Sequence, residues 1–193
     1  MYFPSDMTFQ YFFFDTYPGY FLQVLPIALL VGLGYWFVRW KNDKSAPAGR
    51  KVWSVLFITY IIGLICLTCF KDLIGEGWYR LLYGVPSGRV IRFYKYRLDM
   101  NLTPDFFTHM DGEMIANIVL YLPFGVLFPL YRQKTTWMMT MLAGFICSVV
   151  IEIVQPYFGR ALDINDILLN GLGVAISAGV FFAVGMKTRK RKS

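Results

Sequence analysis

The sequence predicts an all-α membrane protein, a polytopic helix bundle of about five transmembrane helices with its N-terminus outside and its C-terminus inside. The chain of 193 residues is 56% hydrophobic and 16% charged, which leaves too little polar surface for a soluble domain of this size. Its apolar residues fall in long runs, and its basic residues are concentrated in alternate connections between those runs. Both patterns are typical of multi-pass membrane proteins.

The apolar runs define the expected domain organisation. A helix that crosses about 30 Å of hydrocarbon needs roughly 20 mostly apolar residues, and the segments that qualify are 21–38, 52–70, 114–131, 137–154 and 167–186. We expect one transmembrane domain over residues 21–186, with an aromatic-rich interfacial segment 1–20 before it, a long outer loop 71–113 within it and a basic cytoplasmic tail 187–193 after it. Residues 1–20 contain no Lys or Arg, so we expect no cleavable signal, and the first helix should remain in the mature protein.

The basic residues predict the orientation. Five lie in the connection 39–51, two in the turn 132–136 and five in the tail 187–193. An odd number of spans places all three on one side, and short cytoplasmic loops are the ones enriched in Lys and Arg. This bias explains most of the net charge of +7 and indicates contact with anionic membrane lipid, so we expect no nucleic-acid partner.

Polar residues interrupt the apolar pattern where the fourth helix leaves the membrane and the fifth enters it. An ionisable group costs about 2.5 to 3.5 kcal/mol at the centre of an inserting helix, which makes a functional interpretation the default. At about 100° per residue, each of these helices carries one polar stripe at its outer end. The stripes are Ser148, Glu152 and Gln155 on the fourth helix, and Asp163, Asp166 and Asn170 on the fifth. Asn117, near the outer end of the third helix, is expected at the same depth.

Structural roles are open alternatives for each of these groups. Asp163 is also a candidate helix N-cap, and Asp166 suits the positive end of a helix dipole. Glu152 and Arg160 could form an internal ion pair. The amides Asn117 and Asn170 suit hydrogen bonding between packed helices.

Three further features receive structural interpretations. His109 is a single histidine in a loop and is a weak candidate for a ligand or base. Pro123 predicts a kink in the third helix, and Gly125 beside it would let a neighbouring helix approach closely. Cys66 and Cys69 have the spacing of a metal or redox pair, but they lie in the middle of an apolar span, which favours buried packing.

Five motifs follow one another in the C-terminal half of the chain. They are Asn101-Leu-Thr-Pro104, Glu113-Met-Ile-Ala-Asn117, Leu122-Pro-Phe-Gly125, Ile151-Glu-Ile-Val-Gln155 and Asp163-Ile-Asn-Asp-Ile-Leu-Leu-Asn170, followed by Gly173. Their order and spacing resemble the VanZ-like family, over about residues 98 to 180. The resemblance implies a small multi-pass protein of the bacterial cell membrane with a role at the cell envelope. The founding member of the family is associated with resistance to the glycopeptide antibiotic teicoplanin. The aromatic N-terminus, the long outer loop and the extra spans depart from the smallest members.

Two functions follow as hypotheses. In the first, the outer polar layer binds a lipid-linked cell-wall precursor or a lipoglycopeptide, with Arg160 as a candidate for phosphate and the carboxylates and amides for sugar or peptide groups. The candidate ligand-binding residues are Asn117, Glu152, Gln155, Arg160, Asp163, Asp166 and Asn170.

The alternative is a membrane enzyme that acts on a polyprenyl-phosphate-linked substrate, with Glu152, Asp163 and Asp166 as acid, base or metal ligands. Apart from the pair Cys66 and Cys69 in an apolar span, the sequence has no motif of metal-ligand spacing, and it has no nucleophile beside a base, so we expect no cofactor. Oxygen ligands of the kind in the polar layer nevertheless suit Mg²⁺ or Ca²⁺. A transporter is less favoured, because no inverted repeat is visible.

Overall fold

The computed structural model describes residues 8–42, 47–88, 100–108 and 111–190. Within them the elements are α1 (Phe9–Asp15), α2 (Tyr17–Asn42), α3 (Ala48–Cys69), α4 (Lys71–Tyr83), β1 (Met100–Asn101), α5 (Gly112–Tyr131), α6 (Trp137–Val154), a 3₁₀ turn (Gln155–Phe158), β2 (Leu162–Asp163) and α7 (Ile164–Lys190). The predicted all-α class is confirmed. The sequence did not predict the two short strands, which pair in parallel and join the outer loop to the start of α7.

The described residues contain five helices that are long and apolar enough to cross a membrane, as predicted: Tyr17–Asn42, Ala48–Cys69, Gly112–Tyr131, Trp137–Phe158 and Ile164–Gly185. α7 begins three residues before the apolar run that predicted it, because Asn165 and Asp166 occupy its first turn. Polar side chains are favoured there, since the first backbone N–H groups of a helix have no partner within it.

Two of the basic connections lie at the same end of the bundle. The Arg50 guanidinium donates a hydrogen bond to the Gln133 side-chain oxygen at 3.2 Å, which joins the start of α3 to the turn between α5 and α6. This arrangement agrees with the odd number of spans that the charge pattern predicted. The assignment of this end to the cytoplasm stays a prediction.

α5 and α7 approach each other at two glycines. A Cβ atom at Gly125 would collide with the Ser177 side chain and the backbone of α7, and a Cβ atom at Gly173 would collide with the Ile118 carbonyl oxygen of α5. Small residues at such crossings let helix backbones pack closely in membranes. The predicted close approach at Gly125 is therefore confirmed. Pro123 does not break α5, which is continuous from Gly112 to Tyr131.

The core lies where α3, α5, α6 and α7 meet. Phe57 of α3 packs against Phe124 of α5 with ring centroids 5.6 Å apart, and Tyr121 and Val174 are fully buried beside them. Cys69 belongs to the same core, and all three cysteines are free. Cys69 is therefore buried, as the sequence favoured, whereas Cys66 is only half-buried.

The outer loop contains a helix that the sequence analysis did not predict. α4 covers its first 13 residues and ends at Gly84, whose φ of 70° is in the left-handed region that glycine favours. This helix was not recognised in the sequence because the segment contains two glycines, at positions 75 and 77, and a mixture of aromatic and charged residues.

α4 packs against the aromatic N-terminal segment. Phe13 of α1 meets Trp78 edge to face at 6.0 Å, and the Trp78 indole N–H donates to the Gln23 carbonyl oxygen of α2 at 3.0 Å. Phe14 meets Tyr79 at 5.3 Å. The N-terminal segment, which was predicted to be interfacial, and α4 therefore form one aromatic cluster. Their position relative to the lipid stays a prediction.

Candidate functional site

A polar pocket of about 220 Å³ lies at the end of the bundle opposite the basic connections. It is formed by the start of α5, the segment between the 3₁₀ turn and α7, and the first turn of α7. Its lining consists of four carboxyl groups, one arginine, one amide and two apolar residues: Asp111, Glu113, Asp163, Asp166, Arg160, Asn165, Met114 and Ala161. We call it the carboxylate pocket.

Asp163 ends β2 and caps α7. One of its carboxylate oxygens accepts hydrogen bonds from the Asn165 backbone N–H at 2.8 Å and from the Asn165 side chain at 2.9 Å. The Asn101 side-chain amide donates to the same carboxylate at 3.2 and 3.3 Å. The capping role that the sequence left open for Asp163 is therefore observed, together with a contact to the outer loop.

Asn165 fastens the outer loop to α7, and the sequence analysis did not include it as a site residue. Its side-chain oxygen accepts from the backbone N–H groups of Asp105 and Phe106 at 3.0 and 3.4 Å, and its amide donates to the Thr103 carbonyl oxygen at 3.2 Å. Only 1% of the residue is exposed. Its place two residues after a candidate cap, inside an otherwise apolar segment, is the sequence signal that could have identified it.

Asn117 and Asp166 meet across the interface between α5 and α7. The Asn117 amide donates to the Asp166 carboxylate at 2.5 Å, and both side chains are partly buried. The predicted convergence of the third and fifth spans at one depth is thus present in the structure. Asp166 also lines the carboxylate pocket, so this hydrogen bond positions one of its walls.

A second polar layer lies beneath the pocket. Glu152 of α6 is 1% exposed, and one of its oxygens accepts from the Asp163 backbone N–H at 3.3 Å. One turn away, Asn170 donates to the Ser148 hydroxyl at 3.0 Å, in the interhelical role that the sequence left open. The polar stripe on α6 therefore faces the bundle interior. Gln155, at 3% exposure, continues this stripe, and its side-chain oxygen has no hydrogen-bond partner among the described residues.

Arg160 does not form the predicted ion pair with Glu152. Its guanidinium is 3.2 Å from the Glu113 carboxylate at the start of α5, on the rim of the pocket. The ion pair that the sequence left open is therefore not formed, and Glu152 instead accepts the backbone N–H of Asp163 in β2. His109 lies outside the described residues.

The charges around the pocket are unequal, since four carboxyl groups face a single guanidinium. Within the part of the chain that the structure describes, no three His, Cys, Asp or Glu side chains are grouped as metal ligands. Such a lining attracts hydrogen-bond donors and ammonium groups and repels anions.

Comparison with known proteins agrees with this architecture. A family model described as VanZ/LLP1 matches residues 57–185, well over half of the chain. The chain belongs to the VanZ/LLP1 family. A protein named Protein VanZ from Enterococcus faecium is 29% identical over 119 residues, which cover 61% of this chain and 66% of that protein, slightly less than two thirds of its length. No solved structure matches the chain.

The family match locates the site within the shared part of this VanZ/LLP1 chain. It begins inside α3 and includes α4, α5, α6 and most of α7, so it contains every residue of the carboxylate pocket. The N-terminal helices α1 and α2 lie outside it. Together with the five long apolar helices, the family identifies a multi-pass bacterial membrane protein.

Proposed function

We propose that this VanZ/LLP1 protein contributes to glycopeptide resistance by binding a lipid-linked cell-wall precursor, or a lipoglycopeptide such as teicoplanin, at the outer face of the bacterial membrane. The carboxylate pocket is the observation that carries this proposal. Ionisable groups within membrane-spanning helices, such as Asp166, are costly to retain and commonly mark functional sites. The concentration of basic residues at the opposite end supports an outward-facing pocket.

The lining supports recognition of sugar hydroxyls, peptide N–H groups or a free amine. Carboxylates accept hydrogen bonds from all three, and charge-assisted bonds are stronger than neutral ones. The volume of about 220 Å³ is below the ~300 Å³ at which ligand pockets usually begin, so it suits one sugar or one amino group of a larger molecule. Because Arg160 is paired with Glu113 and surrounded by carboxyl groups, we assign the phosphate of a precursor to a position outside the pocket.

The second polar layer, beneath the carboxylate pocket, would hold the pocket rigid. Glu152 supports the backbone of β2, and Asn117 supports Asp166. We therefore assign Glu152, Gln155, Asn170 and Asn117 positioning roles, and direct ligand contacts to Asp163, Asp166, Asp111 and Glu113.

Removal of single charges tests the proposal. Asp166→Asn and Glu113→Gln keep the shape of the lining and should each weaken binding of teicoplanin or of a purified lipid-linked precursor roughly tenfold, the effect of about 1.4 kcal/mol. Asp72→Asn removes an exposed carboxylate of α4 and serves as the matched control. The measurements are binding in lipid nanodiscs and teicoplanin susceptibility of cells that carry equal amounts of inserted protein. If both pocket variants match the parent in both measurements, the proposal is wrong.

An enzyme acting on a polyprenyl-phosphate-linked substrate is the second candidate. It is favoured by Glu152, a buried carboxylate with one oxygen that has no hydrogen-bond partner among the described residues, since such groups are suited to proton transfer. Incubation of the protein in lipid with polyprenyl-phosphate substrates, with and without a divalent metal, separates the candidates. Turnover that Glu152→Gln abolishes would favour the enzyme, whereas binding without turnover would favour the first proposal.

A further inference from the structure

A second recess, of about 440 Å³, lies at the basic end of the bundle. It is formed where the end of α2, the start of α3, the end of α5 and the turn before α6 come together. Its lining combines four basic side chains with two small polar and two aromatic ones: Arg39, Arg50, Arg132, Lys134, Ser54, Gln133, Phe128 and Tyr131. We call it the arginine recess.

The arginine recess is strongly positive. Among the residues that the structure describes, none that lines the recess is acidic. α3 and α6 both begin at this end, and neither has an acidic residue in its first turn. The backbone N–H groups at these two helix starts add partial positive charge to that of the side chains, and the Thr136 hydroxyl accepts one of them, from Met139, at α6.

Arg50 is placed where a cation is unfavourable unless an anion is near. It lies in the first turn of α3, beside the positive end of the helix dipole, which normally favours Asp or Glu. It is exposed, and its guanidinium contacts the neutral Gln133 rather than a carboxylate. An anion between Arg50 and Arg132 would relieve the repulsion among these groups.

The aromatic residues nearby place the arginine recess at headgroup depth. Trp36 and Trp40 stack with ring centroids 5.1 Å apart near the same end of α2, and the Lys51 ammonium lies 4.9 Å from the Trp40 ring. Tryptophan is enriched at the boundary between hydrocarbon and headgroups. Phe128 and Tyr131 give the recess an apolar wall, which suits the glycerol portion of a lipid better than a hydrated inorganic ion.

We propose that the arginine recess binds the phosphate group of an anionic phospholipid. Arginine forms paired hydrogen bonds with phosphate oxygens, and basic pockets between membrane helices are suited to anionic headgroups. The bound lipid would join α2 and α3 to the turn between α5 and α6. This site is separate from the carboxylate pocket and does not depend on its function.

The test compares lipids and single charge changes in the full-length protein. Native mass spectrometry should show phosphatidylglycerol retained at least tenfold better than phosphatidylcholine. Arg50→Gln and Arg132→Gln should each reduce this preference roughly tenfold, the effect of losing one charge-assisted contact. Both arginines are exposed, so neither change removes core packing. Arg80→Gln, an exposed arginine of α4 at the other end, is the control with the same change in net charge and should have no effect.

Two results would overturn the proposal. One is a preference for phosphatidylglycerol that is unchanged in Arg50→Gln and Arg132→Gln, or reduced equally in Arg80→Gln. The other is full displacement of the lipid by inorganic phosphate at millimolar concentration, which would identify a site for the free ion. Retention of the lipid in the presence of phosphate, combined with its loss in the two recess variants, would support the proposal.

Discussion

Replacement of Asn165 by alanine should release the outer loop from α7 without unfolding the helix. The side chain makes hydrogen bonds of 3.0, 3.2 and 2.9 Å to Asp105, Thr103 and Asp163, and a longer one of 3.4 Å to Phe106. Only the bonds to Asp105, Thr103 and Phe106 reach the loop, and the two shorter of these each contribute about 1 kcal/mol net, because the freed groups of the exposed loop regain water. The expected loss is therefore about 2 kcal/mol, which corresponds to a roughly thirtyfold increase in loop opening.

Hydrogen–deuterium exchange in lipid nanodiscs measures this effect directly. Amides of residues 100–108 should exchange roughly thirtyfold faster in Asn165→Ala, since exchange follows the free energy of local opening. Amides within α7 should be unchanged, because Asp163 still accepts the backbone N–H of residue 165. Gln10→Ala is the control, since Gln10 is exposed and lies far along the chain from the loop. If the exchange rate of the loop amides increases less than threefold in Asn165→Ala, the Asn165 side chain does not hold the loop against α7 and the reasoning is refuted.

Two further predictions concern packing and pH. Gly173→Ala should lower the thermal midpoint of the protein in lipid by the equivalent of about 1 to 3 kcal/mol, because the added Cβ atom would collide with the backbone of α5. Gly185→Ala on the same helix is the control and should leave the midpoint unchanged, because no described atom lies within 4 Å of the added Cβ atom. An equal midpoint for the two variants would contradict the close crossing. Hydrogen bonds from Ser87 and then Arg80 hold the pKa of Glu76 below its ordinary value. The contact of Glu76 with Ser87 therefore stabilises the loop after α4 at any pH above the ordinary pKa of a glutamate. This stabilisation is lost as the pH falls through the lowered pKa of Glu76. The rate of proteolysis at residues 84–88 should increase on acidification in the parent protein, and it should be fast at every pH in Glu76→Gln. A rate that does not depend on pH in the parent would count against this prediction.

The membrane architecture could be predicted because it depends on properties of single segments. A span is recognised from its length and hydropathy, and all five spans were predicted, with ends that differ by a few residues. The charge pattern placed two basic connections at the same end, and the contact between Arg50 and Gln133 agrees with this. α4 was missed because a short amphipathic helix rich in glycine and charge has no such signal.

The contents of the polar layer were predicted better than its connections. Helical periodicity placed Glu152 and Asp166 on inward faces, since that property depends only on position along one helix. The partner of each group could not be obtained in this way. Arg160 pairs with Glu113, and Glu152 accepts the Asp163 backbone N–H instead. The pairing of β1 with β2 joins residues 62 positions apart in the chain.

The sequence by itself determined that this protein resides in a membrane, how many spans it has and to which family it belongs. These properties follow from composition, local periodicity and the order of short motifs. Tertiary structure decided which side chains share a pocket. The close crossing of α5 and α7 at two glycines brings Asn117 to Asp166, and Asn165 brings the outer loop onto the start of α7. Such contacts depend on the distances between separate segments, and these distances are fixed only when the helices pack.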